Sequence, residues 1–219
     1  MRTALTIAGS DSSGGAGIQA DIKTMMANGV FAMSAITAMT AQNTTGVTAI
    51  MNATPEFLSE ELDEVFTDIF PDAVKIGMLS SPECMKAVAD KLRQYRPANV
   101  VIDPVMFAKN GDPLMDPKSV GALIETVLPF ADVLTPNVPE AQYLAGMEIH
   151  TPADMETAAR KIGALGCKNV LVKGGKNIPG AVDVLFDGET CHRIEIEQID
   201  STSTHGTGCT LSSAIASNL

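Results

Sequence analysis

Short apolar segments typical of β-strands alternate along this chain with longer segments whose apolar residues recur at helical spacing. A strand over residues 3–8 precedes a helix over about residues 17–28, and this order recurs through most of the chain. Such alternation is typical of a largely parallel sheet with helices on both faces. We therefore predict an α/β fold, a three-layer α/β/α sandwich with a mostly parallel central sheet, formed by one domain over residues 1–219.

Turn and capping residues mark the ends of several elements. Thr54, Ser81 and Thr151 each stand directly before a proline. A hydroxyl side chain followed by proline is a common start of a helix. Two alternating segments, 181–186 and 191–196, flank an Asp-Gly turn, which predicts a β-hairpin.

Composition excludes several classes of protein. The net charge of -11 argues against a nucleic-acid partner, which would select a basic face. No secretory signal follows Met1, and no apolar run reaches the length of a membrane span. The four cysteines are scattered, which is typical of reduced thiols. We therefore expect a cytoplasmic protein with neither a nucleic-acid nor a membrane partner.

Polar and small residues follow the predicted strands, where an α/β protein binds its ligands. They are Gly9, Thr40 to Gln42, Met78, Asp103, Asn137 and Lys173. Asp103 and Glu140 are candidates to hold a magnesium ion through water, and Lys173 is a candidate to neutralise developing charge. The alternatives are a helix-dipole acid for Glu140 and a solvated lysine for Lys173.

A glycine-rich turn before the last helix is the candidate anion site. Gly206 and Gly208 precede residues at helical spacing, and the first turn of a helix offers unpaired N–H groups and a positive dipole end. Cys209 lies in that turn, where the same field favours its thiolate. The alternative is a turn that only caps a core helix. We interpret His205 as a turn residue rather than a base, because no acid is adjacent.

Two familiar nucleotide motifs are absent. The loop over residues 9–17 lacks the G-x-G-x-x-G spacing, and no acid ends the second strand. Residues 174–177 lack the spacing and the hydroxyl residue of a Walker A loop. The loop over residues 9–17 is instead interpreted as a small-molecule lid, with Asp21 on the following helix offering a carboxylate to the ligand.

Seven stretches together resemble the hydroxymethylpyrimidine/phosphomethylpyrimidine kinases of thiamine biosynthesis, in the ribokinase-like superfamily. They are ALTIAGSDSSGGAGIQAD at 4–21, TAQNT at 40–44, KIGML at 75–79, DPVM at 103–106, TPNVPEA at 135–141, VKGG at 172–175 and THGTGCTLS at 204–212. They run through nearly the whole chain in family order.

The resemblance implies a ribokinase-like fold and a kinase that depends on ATP and Mg²⁺. Such an enzyme phosphorylates 4-amino-5-hydroxymethyl-2-methylpyrimidine and then converts the monophosphate to the diphosphate. The residues implied to line the pyrimidine pocket are Gly9, Ala16, Asp21, Thr40, Gln42, Met78 and Val105. Those implied to face the ATP phosphates and the metal are Asp103, Asn137, Glu140 and Lys173. The implied anion hole comprises Gly206, Thr207, Gly208 and Cys209.

The resemblance also assigns a catalytic role to Cys209, beside Lys173. Related sugar kinases carry an aspartate base at the Cys209 position, so a thiolate here is expected to accept the hydroxymethyl proton. Family members continue past this helix with segments that help to close the adenine pocket, and we expect this chain to lack them. A homodimer is expected from the resemblance alone.

Two other functions remain open at this point. One is a pyridoxal kinase of the same superfamily, which shares the cysteine-bearing loop. The other is a non-catalytic protein or fragment that binds a pyrimidine or a nucleotide.

Overall fold

A nine-stranded sheet forms the centre of the computed structural model, which describes residues 1–79, 81–106, 115, 117–178, 180–195, 197, 199, 201 and 203–219. The strands are β1 Thr3–Asp11, β2 Phe31–Asn43, β3 Gly46–Asn52, β4 Ala73–Ile76, β5 Val100–Ile102, β6 Val133–Leu134, β7 Asn169–Val172, β8 Val182–Phe186 and β9 Cys191–Glu195. Their order is β3-β2-β1-β4-β5-β6-β7-β8-β9. The strands from β2 to β7 in this order are parallel, and β3, β8 and β9 pair antiparallel at the edges.

Helices cover both faces of the sheet, as predicted. They are α1 Gly17–Ala27, α2 Pro55–Asp68, α3 Pro82–Tyr95, α4 Pro117–Ala122, α5 Val138–Ala145, α6 Pro152–Gly163 and α7 Thr207–Asn218. Leu5 and Ile7 point to the larger core, which α2 to α6 complete. Ala4 points to the opposite face, where Met25 of α1 and Ala216 of α7 pack. Alternate residues of a strand face opposite sides, so β1 contributes to both cores. No helix in the described ranges is both long and apolar enough to cross a membrane.

The capping residues predicted from the sequence are confirmed. Thr54 and Ser81 each accept a hydrogen bond from a backbone N–H in the first turn of α2 and α3. Thr151 and Asn137 form capping boxes with Asp154 and Glu140. Each such cap contributes on the order of 1 kcal/mol by satisfying N–H groups that lack partners within the helix.

The described ranges contain two antiparallel hairpins. β8 and β9 pair as the sequence predicts. The sequence also predicts a polar turn at 42–46 between strands at 33–39 and 47–51, but does not identify their pairing; in the structure β2 extends to Asn43 and pairs with β3. The Asn43 side chain accepts hydrogen bonds from the N–H groups of Thr45 and Gly46, which close this turn. The residues at 109–112, which the sequence predicts to form a polar loop, lie outside the described residues.

Candidate active site

A cavity of about 640 Å³ opens at the carboxyl edge of the sheet. It lies beside β1, which has β2 on one side and β4 on the other, so the order of strands along the chain reverses there. This is the position at which α/β sheets bind ligands. The cavity is lined by six predicted pyrimidine-contact residues, Gly9, Ala16, Thr40, Gln42, Met78 and Val105. On its other side are the predicted phosphate-side residues Asp103, Asn137, Glu140, Lys173, Gly206, Gly208 and Cys209.

One wall of the cavity combines apolar side chains with an amide. The Thr40 hydroxyl oxygen lies 2.9 Å from both the Ser10 carbonyl oxygen and Gln42 Oε1. Gln42 lines the cavity, and its amide has both a donor and an acceptor. Met78 and Val105 supply the apolar contacts, and a Cβ at Gly9 would lie 2.8 Å from the Met78 Cε atom. The wall suits a small heteroaromatic ring with polar atoms at its edge.

Asp21 does not line this cavity, which corrects the expectation that it binds the ligand. The residue is completely buried in α1. Its carboxylate accepts hydrogen bonds from Thr6 Oγ1 at 2.6 Å, Ser213 Oγ at 2.7 Å and Lys75 Nζ at 2.9 Å. Because protein donors already occupy its carboxylate oxygens, Asp21 holds neighbouring residues, among them the cavity residue Lys75, in place.

On the phosphate side, Lys173 and Asp103 form a largely buried ion pair. Lys173 Nζ lies 2.9 Å from Asp103 Oδ1. The hydroxyl of Thr135 donates to the same oxygen at 3.1 Å. The alternative of a solvated Lys173 is therefore wrong, since the lysine is oriented by a carboxylate at the cavity wall.

The carboxylate of Glu140 accepts two backbone hydrogen bonds and has a raised pKa. One carboxylate oxygen accepts a hydrogen bond from the backbone N–H of Asn137, and the other from that of Met106. Burial and the negative charge of Asp103 raise the pKa of Glu140 to about 7, although Lys173 lowers it. Two close carboxylates make this edge of the cavity attractive to a cation.

The first turn of α7 lies over the Asp103–Lys173 pair. A Cβ at Gly208 would be 3.2 Å from Asp103 Oδ2 and 3.4 Å from Lys173 Nζ. The start of α7, where backbone N–H groups lack partners within the helix, is therefore close to the charged wall. Gly206 starts the turn with φ of 79°, which favours glycine. Thr207, the fourth residue of the predicted anion hole, is exposed and is not among the residues that line the cavity.

Cys209 faces the cavity, but the structure does not support its predicted thiolate. Burial raises the pKa of the Cys209 thiol, and Lys75 only partly opposes this effect. The carboxylates of Asp21 and Asp103 raise the pKa further, whereas a hydrogen bond from the Gly17 backbone lowers it. The neutral thiol is therefore the main form at neutral pH, since the local carboxylates and burial outweigh the helix dipole.

Lys75 is a site residue that sequence reasoning missed. It is completely buried and lines the cavity, and its Nζ atom lies 2.9 Å from Asp21. Burial lowers its pKa, but Cys209, Asp21 and Asp103 together raise that pKa above its ordinary value, so Lys75 is charged. The available signal was a single lysine within the otherwise apolar strand Ala73–Ile76.

His205 has an acidic partner, contrary to the expectation of a simple turn residue. Its Nε2 atom lies 2.8 Å from Asp11 Oδ2. Asp11 is 194 residues earlier in the chain, so no local pattern could reveal the pair.

Comparison with known proteins identifies the family. The family model described as phosphomethylpyrimidine kinase matches residues 11–219. The chain belongs to the phosphomethylpyrimidine kinase family. The thiamine biosynthesis bifunctional protein ThiED of Geobacter sulfurreducens is 51% identical over 98% of this chain, which spans only 44% of that protein. A hydroxymethylpyrimidine/phosphomethylpyrimidine kinase of Rhizobium meliloti is 51% identical over 99% of this chain and 82% of its own length.

Solved structures agree with membership of the phosphomethylpyrimidine kinase family. A phosphomethylpyrimidine kinase of Clostridium difficile matches with a TM-score of 0.89 and 45% identity, over 100% of this chain and 90% of that one. A Bacillus subtilis pyridoxal kinase, solved as an ADP complex, matches with a TM-score of 0.91 and 42% identity, over 100% and 83% of the two chains. The ribokinase-like fold is confirmed, and the kinase relatives favour the pyrimidine kinase over the pyridoxal kinase alternative.

Proposed function

We propose that this chain transfers a phosphoryl group from ATP to the hydroxymethyl group of 4-amino-5-hydroxymethyl-2-methylpyrimidine. In a second reaction it phosphorylates the monophosphate to the diphosphate. The observation that carries this proposal is the arrangement of one cavity. Its apolar wall with Gln42 suits the pyrimidine, and the Asp103–Lys173 pair beneath the first turn of α7 suits phosphates.

In the first reaction, the hydroxymethyl oxygen attacks the γ-phosphorus, the bond from that phosphorus to the β–γ bridging oxygen breaks, and ADP leaves. Lys173 and the N–H groups at the start of α7 stabilise the negative charge on the transferred group. The hydroxyl proton passes to Cys209 when its sulfur is a thiolate. The charged Lys75 favours that form, although burial opposes it.

The second reaction has a different need for a base. Its acceptor is a phosphate oxygen, which is already anionic near neutral pH. The role proposed for Cys209 therefore applies to the first reaction only, whereas both reactions need Lys173 and the anion hole.

Magnesium fits the donor set at the phosphate side. Magnesium sites of kinases use one or two carboxylates together with phosphates and waters. Asp103 and Glu140 provide two carboxylates. Burial and repulsion by Asp103 raise the pKa of Glu140, and a bound cation would reduce that repulsion. Within the described ranges, no group of three or more metal-ligating side chains exists that would form a protein-only site. Asp103 and Glu140 would hold the ion, which would supply positive charge against the phosphates of ATP.

The direct test is ATP-dependent phosphorylation of the hydroxymethylpyrimidine by the 219-residue chain, with and without Mg²⁺. Successive formation of the mono- and diphosphate is expected. Pyridoxal is the parallel substrate, since a solved neighbour is a pyridoxal kinase. Turnover of pyridoxal alone would favour that activity, and binding without turnover would favour a non-catalytic ligand-binding protein.

We also propose that the chain forms a homodimer through the β2–β3 edge of the sheet. Met39 and Met51 pair directly across β2 and β3 and are 48% and 60% exposed. Large exposed apolar side chains that lie side by side are typical of an interaction surface. Light scattering is expected to give twice the chain mass, with dissociation in Met51→Lys. A monomeric mass for the unmodified chain would contradict the proposal.

A further inference from the structure

The carboxylate of Asp11 holds two loops from opposite ends of the chain. Asp11 ends β1 and is 2% exposed. It accepts hydrogen bonds from the N–H groups of Ser13 at 2.8 Å, Gly15 at 3.2 Å and Ala16 at 2.8 Å. The Ser13 hydroxyl is a fourth donor, at 2.8 Å, and His205 is a fifth, at 2.8 Å, from the loop that leads into α7. One buried anion therefore fixes the loop over residues 12–17 and the loop that begins the anion hole.

The two loops are also in direct contact. A Cβ at Gly15 would lie 2.5 Å from the His205 ring, so the imidazole lies directly against Gly15. A Cβ at Gly206 would lie 1.7 Å from the Gly15 carbonyl oxygen. Such close approach leaves no room for either loop to shift without the other.

These loops carry different parts of the site. Ala16 lines the side of the cavity proposed for the pyrimidine, and Gly206 and Gly208 line the side proposed for the phosphates. In-line transfer requires that acceptor and phosphoryl group are aligned within a fraction of an ångström. A contact between the two loops therefore bears directly on that alignment.

We propose that the Asp11–His205 hydrogen bond is a latch that fixes the acceptor loop and the anion hole relative to each other. His205 and Asp11 are then positioning residues, which act through the two loops. The catalytic consequence rests on the proposed function, but the structural one does not, because the latch holds the backbone of residues 13–16 whatever the substrate.

The geometry fixes what a substitute for His205 must provide. A carboxylate only accepts hydrogen bonds, so Nε2 of His205 carries a proton in this contact. The amide nitrogen of glutamine reaches about as far as Nε2, whereas that of asparagine is one methylene shorter. His205→Gln is therefore the conservative variant and His205→Asn the broken one, and both keep a polar amide at this position.

A second histidine offers a matched control. His192 Nε2 lies 2.6 Å from Asp187, but this pair is on the exposed β8–β9 hairpin and does not line the cavity. His192→Asn thus removes a histidine–aspartate contact of the same type from a different part of the molecule.

The first measurement is amide hydrogen exchange of Ser13, Gly15 and Ala16, followed by NMR. His205→Asn is expected to accelerate exchange at these amides by about tenfold or more. The reason is that the Asp11 carboxylate, which accepts their hydrogen bonds, loses its contact with His205 and moves more freely. His205→Gln and His192→Asn are expected to keep the original rates. Unchanged rates in a folded His205→Asn protein would overturn the latch.

The second measurement is steady-state phosphorylation of the hydroxymethylpyrimidine. His205→Asn is expected to lower kcat by about 10- to 100-fold through misalignment, while the KM for ATP changes less. His205→Gln should recover most of kcat. Equal losses in both variants would overturn the alignment role. If the unmodified chain shows no turnover, the proposed function fails, and the exchange measurement still decides whether the latch exists.

Discussion

Ser213 in α7 donates a 2.7 Å hydrogen bond to Asp21 in α1, across 192 residues of chain. The other carboxylate oxygen of Asp21 accepts from Thr6 and from Lys75. Ser213 lies four residues after Cys209, on the same side of α7. The buried group of Asp21, Lys75 and Ser213 therefore sets the position of the helix that carries the proposed base.

Asp21→Asn is expected to destabilise the protein by about 3–5 kcal/mol, because it leaves the completely buried Lys75 ammonium without its anionic partner. Urea unfolding measures the loss. Asp90→Asn is the control, since Asp90 pairs with Lys86 on an exposed helix face. Exposed pairs contribute about 0–1 kcal/mol. Similar losses in the two variants would contradict the role given to the buried group.

Ser213→Ala is expected to cost about 1–3 kcal/mol, since a buried carboxylate oxygen of Asp21 loses its hydroxyl donor. The same unfolding experiment reports it. Ser213→Thr keeps a hydroxyl and provides the comparison. A neutral Ser213→Ala would indicate that α7 is held by apolar packing alone.

Lys173→Met is expected to reduce kcat of both phosphorylation steps by about 10²- to 10³-fold, because a cation at the transferred phosphoryl group is lost. Steady-state kinetics on each acceptor tests this. Lys168→Met is the control: Lys168 also pairs with an aspartate, but its side chain is 75% exposed and it does not line the cavity. A loss confined to one step would argue against a shared phosphate site.

Gly208→Ala is expected to lower kcat/KM for ATP by about tenfold or more, because its methyl group would enter the space between α7 and the Asp103–Lys173 pair. Gly121→Ala is the matched change, since no atom lies within 4 Å of a Cβ at Gly121. That control should leave activity unchanged. Full activity of Gly208→Ala would exclude phosphate binding at this turn.

Cys209→Ala is expected to slow the first phosphorylation by about 10²-fold or more and the second by less than about tenfold. The difference follows because only the alcohol acceptor must lose a proton. Rates measured separately with the pyrimidine alcohol and its monophosphate decide the matter. Equal losses would favour a packing or positioning role for Cys209.

The rate of Cys209 alkylation is expected to reach its maximum at a higher pH than that of an ordinary cysteine. Only the thiolate reacts, and its fraction rises with pH until the pKa is passed. Because burial holds that pKa above its ordinary value of about 8.5, the rate should still be rising at about pH 9.5, where an unperturbed cysteine is already about nine-tenths thiolate. Mass spectrometry of the Cys209 peptide follows the rate. A plateau below pH 8 would mean that Lys75 outweighs burial.

Local patterns in the sequence predicted much of the fold. Thr54, Ser81 and Thr151 act as caps because a cap needs only a few consecutive residues. The parallel sheet follows from the alternation of strands and helices. The β2–β3 pairing was missed, since an asparagine side chain closes that turn in place of the usual glycine pair.

The site was harder to predict where its contacts are distant in sequence. Residues at strand ends, such as Asp103 and Lys173, were expected correctly at one edge of the sheet because topology places them there. Ser213, one partner of Asp21, and Asp11, the partner of His205, each lie almost 200 residues away in sequence, so neither contact could be derived from spacing. The thiol of Cys209 was misjudged because burial depends on the complete fold.

The hydrogen bonds from Ser213 in α7 to Asp21 and from His205 in the preceding loop to Asp11 also affect how the protein is made. A ribosome releases the strands, Asp103 and Lys173 before it releases residues 205–213. Any sheet that forms before that release has Asp21 and Lys75 on a face that α7 does not yet cover. Contacts this distant in sequence form late, because a long loop must close first. Phosphate-binding competence is accordingly acquired only after residues 205–213 have joined the sheet.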